Sequence, residues 1–208
     1  MSWTPVLFMI FSTLETFALY FLIMTLFRFK WARHVWEALF IILFLNLQSY
    51  LLRNELDMPS FAPLVLVIVF ILFFALKVKM PLVLSVIATI SGFVIFTLVQ
   101  TIILLGYFGS ISSIDNNASN GYLLQFITSI IIIPVCWLSY VKGKGFTYDY
   151  EKLRFKLEDV VLTTLVVLFL PGVSLLFYFK ELYLNIVLFM GLSMFLLAYS
   201  SRKEKEDD

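Results

Sequence analysis

Two acidic side chains lie inside long apolar runs of this 208-residue chain: Glu15 near the middle of the first run and Glu37 at the start of the second. An ionisable group in a hydrocarbon interior costs roughly 2.5–3.5 kcal/mol on insertion scales, so each marks a candidate site. Two roles fit Glu15: a protonated carboxyl that glues helices together, or a contact for a ligand, a proton or a cation. Glu37 stands beside Trp36 and one turn from Arg33, the spacing of an interfacial ion pair. Asn46 and Gln48 fall at about the depth of Glu15 when the second run is threaded back across the same layer, where an interhelical hydrogen bond can form. Gln48, Gln100, Gln125 and Asn185 cluster by depth toward one side. A few placed polar groups in an apolar cleft are how small-molecule sites are built. Amides near an interface also simply meet water, and both readings stay open here.

Catalytic chemistry finds few tools. His34 is the only histidine and Cys136 the only cysteine, so no multi-His or Cys-rich metal site, and no intramolecular disulfide, can be assembled. A Cys136/His34 dyad would join residues a hundred positions apart. A cysteine on an apolar helix more often behaves as a small hydrophobe. There is no glycine-rich phosphate loop, no G-x-S-x-G and no carboxylate pair at metal-binding spacing. The expectation is a protein that is not an enzyme and has no metal or cofactor.

The elements that must position these groups follow from composition. Hydrophobic residues make up 62% of the chain, aromatic residues 18% and charged residues 14%, with a mean hydropathy of +0.99. Soluble domains run at about 45–50% apolar and about 25% charged, so this chain is written for a lipid solvent. The formal net charge of +1 offers no basic excess for nucleic acid.

Runs near the ~20 residues that cross a ~30 Å hydrocarbon layer number seven: 5–27, 35–52, 61–76, 80–105, 122–141, 160–179 and 182–199. Pro5, Pro63 and Pro81 stand at the starts of runs, where the missing N–H costs nothing. Pro134 and Pro171 lie inside the fifth and sixth, where each frees a carbonyl and predicts a hinge. Ser85, Ala88, Thr89 and Gly92 form a small-residue stripe for close helix packing.

With seven crossings, one side holds Arg28, Lys30, Arg33, Lys77, Lys79, Lys142, Lys144, Lys152, Arg154, Lys156, Arg202, Lys203 and Lys205, and the other only Arg53 and Lys180. Basic residues collect on the cytoplasmic side, which predicts the N-terminus outside and the C-terminus inside. The expected fold is therefore an all-α, polytopic helical membrane protein of the cell membrane. Residues 1–201 form one bundle in the lipid bilayer, and residues 202–208 a short charged cytoplasmic tail. The Gly106–Gly121 stretch reads as an outer loop with a sequon at Asn117, and Tyr148–Val160 as an interfacial segment on the inner face. No internal repeat of the kind that marks many transporters is visible.

This layout, ending in Ser200-Ser201-Arg202-Lys203-Glu204-Lys205, resembles the membrane sensor half of accessory-gene-regulator-type quorum-sensing histidine kinases of Gram-positive bacteria. The resemblance implies binding of a secreted, apolar cyclic peptide from outside. With one histidine and no ATP-binding motif, it further implies a sensor without its kinase half: a detached sensor, a decoy receptor or the partner of a separate kinase. The processing peptidase of such systems is less similar, since its His and Cys lie close together in one segment. On this reading Glu15, Asn46, Gln48, Gln100 and Gln125 contact the ligand, and Pro134 and Pro171 let the inner side move. A small carrier or channel using Glu15 is the alternative.

Overall fold

The structure, a computed structural model, describes residues 4–54, 59–109 and 118–146. Among the described residues the secondary structure is helical throughout, without strands. Helix α1 spans Thr4–Leu26, α2 Val35–Asn54, α3 Ala62–Leu76, α4 Leu82–Ile103 and α5 Ala118–Val141. Helices α1, α2, α4 and α5 are long and apolar enough to cross a membrane. At 15 residues α3 is shorter, about 23 Å at 1.5 Å per residue.

These helices coincide with the first five expected runs, and the ends differ for local reasons. Helix α5 starts at Ala118 rather than Tyr122. Ser119, Asn120 and Gly121 read as loop residues, yet a first turn tolerates them because its N–H groups have no intrahelical partner to lose. Helix α4 runs on into a wide turn, Leu104–Phe108, which Gly109 closes with φ +74° and an N–H bond to Leu104 O at 3.1 Å. The expected Gly106–Gly121 loop is thus taken up by helical turns at its two ends, over 106–108 and 118–121. Helix α5 stays helical through Pro134. The sixth and seventh runs, Pro171, Asn185, the Asn117 sequon, the Tyr148–Val160 segment and the 202–208 tail lie outside the described residues.

Helix α1 is the axis of the bundle and packs against α2, α4 and α5, while α3 packs on α2 and α4. Every residue from Ala18 to Thr25 is buried, so this stretch is enclosed on all sides. Tyr20 illustrates how: its ring stacks near-parallel on Phe74 at 6.3 Å, and its hydroxyl donates to Trp31 O at 2.7 Å. Burying that hydroxyl without a partner would cost about 1–3 kcal/mol, which explains why the chain brings a carbonyl to it.

The small-residue stripe of α4 does what its spacing predicts. Ser85, Ala88, Thr89 and Gly92 are all buried, and a Cβ at Gly92 would collide with the Ile23 side chain of α1. Conversely, Trp36, Phe40, Leu43, Phe44, Leu47 and Leu51 form an exposed apolar stripe along α2, and Leu123, Phe126, Ile130 and Ile131 do so on α5. Apolar surface that large, facing outward, suits lipid rather than water.

The C-terminal ends of α1 and α5 meet at one end of the bundle. Phe146 N–H donates to Leu26 O at 2.8 Å, and the Phe27 and Phe146 rings lie 5.8 Å apart. Helix α1 closes with Arg28 at φ 53° and Phe29 N–H to Met24 O; α5 closes with Gly143 at φ +69° and Lys144 N–H to Ser139 O. Both are left-handed caps that satisfy the last carbonyls. Arg28 and Gly143 therefore sit side by side, 3.7 Å from the Arg28 guanidinium to a Cβ placed at Gly143.

Candidate functional site

Three polar side chains from three helices converge midway along α1. Glu15 Oε1 accepts from Gln100 Nε2 of α4 at 2.5 Å, and Glu15 Oε2 accepts from Gln125 Nε2 of α5 at 2.8 Å. Gln125 Nε2 also approaches Ser12 Oγ at 3.5 Å, one turn along α1. The residues are 85 and 110 positions apart in sequence. The helices bring them together because Gln100 is near the C-terminal end of α4 and Gln125 near the N-terminal end of α5, both at the end opposite the Arg28–Gly143 contact.

Neutral amide donors spread the charge of a carboxylate but do not cancel it. Among the described residues Glu15 makes no ion pair; the field of Arg53 reaches it, but that guanidinium lies over the Phe8 ring, 5.9 Å from its centroid. Gln125 Oε1 is buried with no hydrogen-bond donor, and Ser91 Oγ is the other such atom among the described residues. The cluster is thus rich in acceptors: a carboxylate, an orphan amide oxygen and a hydroxyl.

Asn46 and Gln48 fare differently from each other. Asn46 is buried and bridges to α1, but to hydroxyls rather than to Glu15: Thr16 Oγ1 donates to Asn46 Oδ1 at 3.1 Å, and Asn46 Nδ2 donates to Thr13 Oγ1 at 3.2 Å. Gln48 lies two residues further on, about 200° around the helix, and joins neither group among the described residues. The sequence pointed to Glu15 and the amides but missed Ser12, Thr13 and Thr16. Hydroxyls at three- and four-residue spacing beside an acid within an apolar run were the available signal.

One turn beyond Glu15 and Gln125, toward the N-terminal ends of α1 and α5, the Phe11 and Tyr122 rings stack at 5.4 Å and 13°. Phe11 precedes Glu15 by four residues and Tyr122 precedes Gln125 by three, so each aromatic shares a helix face with the polar residue below it. Outside this ring pair an apolar cleft of about 290 Å³ opens between α1 and α5, lined by Leu7, Phe11, Ser119, Tyr122, Leu123 and Phe126.

The other chemical candidates are dispersed. Cys136 is buried in the main core and its sulfur meets the Thr25 side chain. His34 closes the short Trp31–His34 turn. Glu37 is exposed and forms no ion pair with Arg33 among the described residues. No cluster of three His, Cys, Asp or Glu that could hold a metal occurs among the described residues. No family model, no curated protein and no solved structure matches the chain.

Proposed function

We propose that the chain is a multi-pass protein of the cell membrane, crossing seven times with its N-terminus outside, that works as a sensor or accessory protein rather than as an enzyme. It binds a largely apolar ligand in its outer half and passes that event to a cytoplasmic or membrane partner, such as a separate kinase. The observation that carries the reading is the convergence of Glu15, Gln100 and Gln125 from three helices beneath an aromatic-lined cleft. A carboxylate inside a span is expensive to keep, and packing alone is served by the hydroxyl–amide pairs of Asn46. The end of the bundle bearing Arg28, Lys30, Arg33, Lys142 and Lys144 is then the cytoplasmic one. The Arg28–Gly143 contact joins α1 and α5 there, so a ligand that shifts α1 against α5 at the outer end acts on the residues that follow α5.

The test is purification of the intact protein from its native membrane in mild detergent, with mass spectrometry of retained small molecules and co-purifying proteins. The reading requires a stoichiometric signalling partner, and a retained ligand that is lost in Gln100→Ala/Gln125→Ala. Recovery of lipid alone would sink it and leave uptake through Glu15, tested with Glu15→Gln in proteoliposomes, as the next question.

A further inference from the structure

We propose that the ligand recognised at Glu15 is an amphiphile bearing a primary ammonium, its nitrogen held by Glu15, Gln125 and Ser12 and its apolar part lying in the cleft outside Phe11 and Tyr122. This rests on the ligand-binding reading above and adds the chemistry of the ligand. Three observations converge. The Glu15 carboxylate has only neutral donors within hydrogen-bond distance among the described residues. Gln125 Oε1 is a buried acceptor to which none of the described residues donates. Ser12, which is 5% exposed, places a third oxygen beside the same amide. An R–NH₃⁺ group carries three N–H donors and one positive charge, and so meets the carboxylate's charge, the unmet amide oxygen and the Ser12 hydroxyl oxygen at once.

Entry of the nitrogen replaces the Gln125 Nε2 donor at Glu15 Oε2. A half-turn of the Gln125 amide then presents Oε1 to the same nitrogen, at the cost of taking Nε2 off Glu15 and Ser12, and the ammonium's own donors and charge take that amide's place at both. A neutral alcohol supplies one donor and no charge, and a quaternary ammonium supplies charge and no donor; neither completes the set. The cleft is almost entirely apolar in lining and lies on the same α1·α5 seam, one helical turn away, so one molecule can span both. The stacked Phe11 and Tyr122 rings stand between cleft and carboxylate, and they must part for the nitrogen to pass. Their faces offer a cation an attractive way through.

The experiment uses the full chain in nanodiscs of zwitterionic lipid and follows thermal unfolding with n-octylammonium, octyltrimethylammonium, octanol or sodium chloride alone. Saturable stabilisation by n-octylammonium, with an apparent affinity about tenfold or more above that for octanol, is the expected result. Glu15→Gln and Gln125→Leu should remove that preference, Phe126→Ala should weaken every octyl probe in common, and Gln48→Ala should change nothing. Equal effects of all octyl probes would mean a lipid groove, and the same protection by sodium chloride alone would mean an alkali-cation site; either overturns the proposal. If Glu15→Gln does not fold, Gln125→Leu, which removes the orphan acceptor and keeps the carboxylate, decides. A neutral ligand recovered from the native membrane would defeat this inference and leave the sensor reading standing. Octylammonium selectivity without any co-purifying partner would do the reverse.

Discussion

Gln125 and Glu15, 110 residues apart, are joined at 2.8 Å across the α1·α5 seam, and the amide oxygen of that same glutamine meets no donor among the described residues. A half-buried amide that spends its N–H on a carboxylate while its buried carbonyl goes unmet is a local cost that folding alone does not require. Replacement of Gln125 by leucine removes the orphan but also strips Glu15 Oε2 of its donor. We expect a loss of stability of about 1–2 kcal/mol on titration with a denaturing detergent, in keeping with interhelical hydrogen bonds in lipid and with the penalty for an unmet acceptor. Glu15→Leu/Gln125→Leu should recover most of it, since removal of both partners leaves no polar atom stranded. A double variant less stable than the sum of the singles would show that the pair is not the source of the cost.

Close approach of α4 to α1 depends on Gly92, where any Cβ meets Ile23. Gly92→Val should cost about 1–3 kcal/mol by overpacking, and Ile23→Ala in the same chain should restore part of it by vacating the space. The two effects are read from one detergent-unfolding series. Additivity of the two substitutions would contradict a direct contact.

Much of this architecture is legible in the residues. Apolar run lengths give the five helices to within a few positions, and the Ser85–Gly92 stripe announces a tight helix pair, because both are read along the chain, the first from length and the second from a 3.6-residue period. Glu15 and the glutamines stand out for the same reason: a polar atom in an apolar run is costly and therefore conspicuous. Which amide reaches which carboxyl is not a one-dimensional property. Asn46 and Gln48 are equivalent by depth, and only the rotation of α2 about its axis turns Asn46 to Thr13 and Thr16 and Gln48 away. The Phe11–Tyr122 stack was equally hidden, since 23 phenylalanines make any one of them inconspicuous.

Cys136 offers a check on the enzyme alternative. A nucleophilic thiol must be reached by its substrate, yet Cys136 is 7% exposed and packed in the main core. In the folded protein it should resist a soluble maleimide and label fully only after denaturation, and Cys136→Ala should leave ligand retention unchanged. Rapid labelling of the native protein would reopen the question of covalent chemistry.

At the far end of the α1·α5 seam, Phe146 N–H donates to Leu26 O. Gly145 has φ +142°, and a Cβ there would press on Arg28 Cγ at 2.8 Å and on Leu26 O at 2.9 Å. The second of these is backbone and cannot swing aside. It is also the oxygen that accepts from Phe146 N–H, so a side chain at position 145 attacks the backbone hydrogen bond that clasps the two helix ends. Gly145→Val should therefore open the clasp while leaving the Glu15–Gln125 end, more than two turns of helix away, intact. If the seam transmits ligand binding, this variant retains ligand within about twofold of the parent but loses its dependence of partner recruitment on ligand, because the coupling free energy and the binding free energy are separate quantities. Retention and recruitment are both measured in the same detergent pull-down. Recruitment that still responds to ligand in Gly145→Val would mean that the signal leaves the membrane by another route.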